Sequence, residues 1–105
     1  MDHYLWRHGI ACIDRLGEGK DGVVHKTSRA SALKVVRRED VYRRELRAYR
    51  LFRELSIGRI GKYKVPRFID SDDSGLLLEL TIVSAPYCLD FASTYDELEM
   101  FHLDF

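Results

Sequence analysis

Residues Gly17-Glu18-Gly19-Lys20-Asp21-Gly22-Val23-Val24 form a glycine-rich turn that opens into β-branched residues. Because glycine has no Cβ, its backbone can turn tightly and approach a ligand that another residue would keep away. The amide groups of such a turn can face the oxygen atoms of a phosphate. The stretch therefore predicts a phosphate-binding loop, and the residues after it decide which kind.

Three nucleotide-binding motifs use glycines in this way. A dinucleotide-binding fingerprint requires its third glycine to open a helix, whereas the segment after Gly22 is rich in β-branched residues and is typical of a strand. A Walker loop requires a hydroxyl residue after Gly-Lys, and Asp21 stands there instead. The remaining motif is a strand–loop–strand hairpin over the phosphates, G-x-G-x-x-G-x-V. Its positions are filled by Gly17, Gly19, Gly22 and Val24.

A lysine lies inside the next short apolar run, Ser31-Ala32-Leu33-Lys34-Val35-Val36. Residues two apart in a strand share a face, so Ala32 and Lys34 point the same way. A small apolar side chain beside a cation suits an adenine ring and its phosphates. Taken alone, the pattern also fits a surface lysine on an edge strand.

The segment from Glu39 to Leu55 has the period of an amphipathic helix. Glu45 falls near the centre of its apolar arc, and the opposite side carries Arg43, Arg47, Arg50 and Glu54. A carboxylate in a packed face is costly unless it is paired, and Lys34 precedes it as a candidate partner. The apolar arc comprises Val41, Tyr42, Leu46, Ala48, Tyr49, Leu51, Phe52 and Leu55.

Together these features resemble the N-terminal (small) lobe of a protein kinase, over roughly residues 10 to 92. In that family a strand lysine pairs with a glutamate of the next helix, and Ala32-Leu33-Lys34 matches the end of the V-A-I-K strand, although Ser31 departs from its first position. The resemblance implies an α+β fold: a five-stranded antiparallel sheet with one main helix, plus a partial C-terminal helix. It also implies ATP binding, with Lys34 and Glu45 as supporting catalytic residues.

The predicted strands are 11–16, 23–27, 30–36, 67–70 and 76–80, with the helix after the third. This is the order of elements in a kinase small lobe. The resemblance implies that Leu78 is the gatekeeper and that Glu79-Leu80-Thr81 form the hinge, where the Glu79 carbonyl and the Thr81 amide bind the adenine edge. An alignment shifted by one residue, or an ordinary strand leading to a linker, fits the same residues.

We predict three segments: an N-terminal extension (1–9), the kinase-like small lobe (10–83), and the hinge exit with the start of a truncated large-lobe helix (84–105). The last segment contains Thr94-Tyr95-Asp96-Glu97, a capping box typical of a helix start. The extension lacks a continuous apolar run and is not expected to be a signal peptide.

The large-lobe motifs H-R-D and D-F-G, which supply a base and metal ligands, have no counterpart. His102-Leu103-Asp104 and Asp104-Phe105 overlap on one aspartate and lack the following asparagine and glycine, so we interpret them as coincidental. We expect weak ATP binding, Mg²⁺ only if a large lobe is supplied, no metal site, and no phosphate transfer by this chain alone. Two hypotheses explain small-lobe motifs without large-lobe motifs. The chain is either a truncated or split kinase that a partner completes, or a non-catalytic interaction module on a degenerate lobe.

Composition limits the remaining possibilities. Cys12 and Cys88 give neither a metal spacing nor a disulfide framework, which favours the cytoplasm. No segment is long enough to span a membrane. All 17 Lys and Arg lie in residues 1–67, with 8 acids, whereas residues 68–105 hold 9 acids. A basic half can indicate nucleic-acid binding, but much of this charge lies on the predicted solvent face of the helix, which argues against it.

Overall fold

The computed structural model of the chain describes residues 1–83. Within this part, two helices and seven strands follow one another, each strand connected by a short turn or by a helix. Their bounds are α1 Asp2–His8, β1 Cys12–Gly19, β2 Gly22–Thr27, β3 Ser31–Val36, α2 Glu39–Glu54, β4 Arg59–Ile60, β5 Tyr63–Lys64, β6 Phe68–Asp72 and β7 Leu77–Thr81.

Five of the strands form one antiparallel sheet in the order β1-β2-β3-β7-β6. The predicted fold class, an α+β fold with a five-stranded antiparallel sheet and a main helix, is therefore confirmed. Strand β7 lies between β3 and β6, and Lys34 on β3 is paired with Val24 on one side and Leu78 on the other. The segment after α2 contains the small β4–β5 hairpin, which turns at Gly61 with φ 59°.

Helix α2 covers the face of the sheet that we call the inner face, to which Ala32, Lys34 and Val36 of β3 belong. Its apolar stripe packs there as the sequence predicted, around Tyr42, Tyr49 and Phe52, which are at most 2% exposed. The predicted apolar arc included Leu55, but this side chain is exposed because the helix ends at Glu54.

Helix α1 covers the opposite, outer face. Its Tyr4 is fully buried against Leu33 and Leu77, which project from β3 and β7. The helix ends at Gly9, whose φ of 65° lies in the left-handed region that favours glycine. The sequence separated residues 1–9 from the lobe as an extension, but the structure packs them against its sheet.

The predicted helix after Thr94 and the motif-like residues His102 and Asp104 lie outside the described residues. Among residues 1–83, neither helix is both long and apolar enough to cross a membrane.

Candidate nucleotide-binding site

The glycine-rich stretch is a tight hairpin. Strands β1 and β2 are connected by Lys20-Asp21, with Gly19 paired to Gly22. A Cβ on Gly22 would lie 2.4 Å from the Val35 carbonyl oxygen, so only glycine lets β2 pass this close to β3. Around Gly19 there is no such constraint, since nothing lies within 4 Å of the corresponding position. Gly22 therefore serves the packing of the sheet, whereas the space beside Gly19 is open.

A pocket of about 120 Å³ lies beneath this hairpin and reaches the strand lysine. The structure thus brings together four of the predicted residues, and Gly17 is paired with one of them, Val24, on the adjacent strand. The pocket is lined by Glu18, Gly19, Lys20, Asp21, Gly22, Val24 and Lys34. Backbone amides and one ammonium group at one end of a pocket are suited to phosphate oxygens.

Lys34 and Glu45 form the ion pair that the helical period predicted. Lys34 Nζ donates a hydrogen bond to Glu45 Oε1. Only 7% of the lysine side chain is exposed and none of the glutamate. The structure buries the pair between β3 and α2. A pair of this kind holds the helix and the lysine in a fixed relation, because separating the two charges inside the core is costly.

An apolar slot of about 150 Å³ lies next along the same face of β3. Ala32 lines it, and Ala32 and Lys34 are two residues apart on one strand, on the order of 7 Å. The slot is lined by Leu16, Ala32, Pro66, Thr81, Ile82 and Val83. Of these, sequence reasoning singled out only Ala32 and Thr81. The available sequence signals were Leu16, which directly precedes the first glycine, and the apolar residues Ile82 and Val83, which follow β7.

The predicted hinge residues lie in strand β7 of the sheet. The Thr81 amide donates a hydrogen bond to the Arg67 carbonyl at 2.9 Å, so it is engaged within the protein. Glu79 lies within β7, paired with Leu33 and Asp70, and its side chain points to the outer face. Leu78 does face the inner side beside Lys34, but it is fully buried in the core. The strand thus begins and ends one residue later than predicted, and the chain leaves it after Thr81.

On the outer face, Glu79 is the centre of a buried polar network. Tyr4 donates to its Oε1 at 2.6 Å, Arg29 Nε donates to its Oε2 at 2.7 Å, and Ser31 donates to Oε2 as well. Burial acts to raise the pKa of Glu79, but hydrogen bonds from Arg29, Ser31 and Tyr4 outweigh it and lower the pKa below its ordinary value. This network also explains the departure at Ser31, which here is a hydrogen-bond donor.

No group of three or more His, Cys, Asp or Glu within residues 1–83 is arranged to hold a metal ion. The site as described is a pocket beneath the glycine hairpin, a buried lysine and an apolar slot, in that order along β3.

Comparison with known proteins gives a structural likeness without a sequence match. No family model matches the chain, and no curated protein matches its sequence. Among solved structures, ADP-bound aminoglycoside phosphotransferase APH(2'')-Ib matches with a TM-score of 0.62 and 19% identity over 79% of this chain. The ternary complex of streptomycin, ATP and APH(2")-IIa matches with a TM-score of 0.60 and 18% identity over 83%. The gentamicin complex of APH(2")-IIa matches with a TM-score of 0.63 and 17% identity over 94%.

These phosphotransferases have a protein-kinase-like fold, and so does the described part of this chain. At this level of identity the likeness establishes the fold alone. The matched region covers only 27% of the first structure and 30% of the other two, so the chain spans less than a third of their length.

Proposed function

We propose that this chain is the ATP-binding small lobe of a protein-kinase-like phosphotransferase. The observation that carries the proposal is the buried Lys34–Glu45 pair, placed between the glycine hairpin and the apolar slot. A buried lysine paired with a buried carboxylate is an expensive arrangement. Its cost is understandable if the lysine must be presented at a fixed point beside phosphates.

Each part of the nucleotide has a matching part of the site. The phosphates face the backbone at Gly19 and the ammonium of Lys34, and the adenine enters the slot beside Ala32 and Leu16. Because the Thr81 amide is engaged with Arg67, we assign the adenine edge to the backbone of Ile82 and Val83 instead. Two of the compared structures are complexes with ADP and with ATP, which supports a nucleotide in this fold.

Titration calorimetry with MgATP tests the proposal directly. We expect weak binding, with a Kd above about 1 µM, because ligand pockets ordinarily bury most of the ligand and these residues form one wall. Lys34→Met should abolish it, whereas Lys62→Met, a matched change in the β4–β5 turn, should leave it unaltered. No binding to the wild-type chain would contradict the proposal, and sub-micromolar binding would contradict the one-walled site.

We further propose that residues 1–105 do not transfer phosphate by themselves and act with a large lobe supplied by further sequence or by another polypeptide. Phosphoryl transfer depends on bridging metal ions and a positioned base, and Lys34 and Glu45 can only support such groups. Mg²⁺ would accordingly be bound only in the completed site. A radiolabelled-ATP assay with generic acceptors should show no turnover, and turnover that Lys34→Met abolishes would contradict this part.

A non-catalytic interaction module is the second candidate. It is favoured by the solvent face of α2, where arginines lie exposed in successive turns: Arg43, Arg47, Arg50 and Arg53. Such a face would suit an acidic protein surface. Calorimetry separates the candidates, because a docking module does not require MgATP binding or its loss in Lys34→Met.

A further inference from the structure

We propose that Arg37, the first residue after β3, is a positioning residue that sets the geometry of the glycine hairpin. The ligand, ATP, is taken from the proposed function, on which this part of the inference rests. The positioning role itself rests on the contacts between Arg37 and the hairpin. Arg37 belongs to none of the sequence motifs that identify the site. It nevertheless reaches the hairpin from both its backbone and its side chain.

The contacts of Arg37 lie on both sides of the Lys20-Asp21 turn. Its backbone amide donates to the Asp21 carbonyl at 2.9 Å. Its guanidinium donates to the Gly19 carbonyl. One residue of a neighbouring strand end therefore fixes the peptide groups that enter and leave the turn.

These two contacts determine where the amides of the turn point. In a trans peptide the C=O and the following N–H point in opposite directions within one plane. The Gly22 amide is directed across the hairpin to Gly19, its partner in the β1–β2 pairing. With the Gly19 carbonyl turned to Arg37, the amide of Lys20 points away from it, and Lys20 lines the phosphate-side pocket. Arg37 thus preorganises a donor that a free glycine-rich turn would leave disordered.

Arg37 also pairs with the carboxylate of Glu18 at the rim of the pocket. Glu18 lines the pocket, where a free carboxylate would repel phosphate. The Arg37 guanidinium lies 3.6 Å from Glu18 Oε2, and Arg15 lies 3.4 Å from Oε1. The carboxylate is thereby held between two cations. Both arginines remain substantially exposed, so this pairing is a local adjustment and contributes little to global stability.

The test compares Arg37→Ala with Arg38→Ala. Arg38 is the adjacent residue, is more exposed, and pairs with Asp40 at 2.7 Å instead of with the hairpin, so it is a matched control. The first measurement is amide hydrogen exchange of residues 17–24 without nucleotide. We expect Arg37→Ala to accelerate it by about tenfold, the effect of one lost charge-assisted hydrogen bond, and Arg38→Ala to leave it unchanged.

The second measurement is the affinity for MgATP and for adenosine. Arg37→Ala should weaken ATP binding by about five- to tenfold and leave adenosine binding unaltered, because only the phosphates meet the hairpin. Arg37→Lys should recover part of this loss, since it keeps the charge but not the fork. Equal exchange rates in wild type and Arg37→Ala, or an equal loss for ATP and adenosine, would overturn the inference. Faster exchange in a chain whose wild type binds no ATP would support the positioning role and refute the proposed function.

Discussion

The two faces of the sheet each bury one carboxylate beside a cation, and they use it differently. On the inner face, Glu45 of α2 meets Lys34, and both side chains are almost fully enclosed. On the outer face, Glu79 of β7 is just as buried, but its cation Arg29 is 38% exposed, and Tyr4 and Ser31 share the hydrogen bonding. The inner pair holds a charge at a ligand site, whereas the outer network docks a helix.

The difference shows how a buried charge can be satisfied. On the inner face a point-like ammonium pairs with a carboxylate inside the core, at a lysine that also lines the pocket beneath the glycine hairpin. The outer carboxylate instead accepts hydrogen bonds from an arginine fork, a phenol and a hydroxyl, a set that satisfies it. The outer arrangement should therefore tolerate the loss of any one partner better than the inner one.

The largest expected effect comes from removing the cation that pairs with the buried carboxylate on each face, Lys34 on the inner face and Arg29 on the outer face. Lys34→Met should lower the free energy of unfolding by about 3–5 kcal/mol, because Glu45 loses its cation in the core. Arg29→Met should cost less, about 1–3 kcal/mol, since Tyr4 and Ser31 still donate to Glu79. Urea denaturation of both variants measures the difference. The double variant Lys34→Met/Glu45→Leu should regain most of the stability, and an Arg29→Met cost equal to that of Lys34→Met would contradict the distinction.

The next effect tests whether residues 1–9 belong to the lobe. Tyr4→Ala should destabilise the chain by about 3 kcal/mol, because it removes a fully buried ring from Leu33 and Leu77. Trp6→Ala, in the same helix but 80% exposed, should change stability by less than about 0.5 kcal/mol. Thermal unfolding of the two variants compares them under identical conditions. Equal stability of both would mean that α1 is an appendage to the sheet.

The smallest effect compares two tyrosine hydroxyls on opposite faces. Tyr4 donates to Glu79 and Tyr42 to Asp73, each at 2.6 Å, from α1 and α2 respectively. Tyr4→Phe should cost about 1–2 kcal/mol because a buried carboxylate loses a donor. Tyr42→Phe should cost only about 0.5–1 kcal/mol, since Asp73 is exposed and water can replace the hydroxyl.

The pKa values of the two phenol groups decide at which pH the two Phe variants should be compared. Burial, followed by the hydrogen bond to Asp73, raises the pKa of Tyr42 to about 12. Burial and Glu79 likewise raise the pKa of Tyr4. Both hydroxyls therefore remain protonated donors at neutral pH, where denaturant unfolding of the two Phe variants should be measured. A larger loss for Tyr42→Phe than for Tyr4→Phe would reverse the assigned roles of the two faces.

The inner face could be predicted because its signals are periodic or close together in the chain. The glycine pattern and the strand lysine are separated by few residues. The position of Glu45 on a helical wheel is fixed by 3.6 residues per turn, so its place in an apolar arc is visible without a structure. The order of strands about one helix then indicated the sheet.

The sequence by itself determined the glycine hairpin, the amphipathic α2 and the Lys34–Glu45 pairing. Only the tertiary structure decided that Tyr4 and Glu79 meet across 75 positions, that the Lys34–Glu45 pair is almost fully buried, and that Pro66 joins Leu16 and Val83 in one slot. The physical reason is that a strand buried on both faces, such as β7, has no polar alternation to show which way Glu79 points. Contacts between distant segments follow from how the elements pack, and no local period records them.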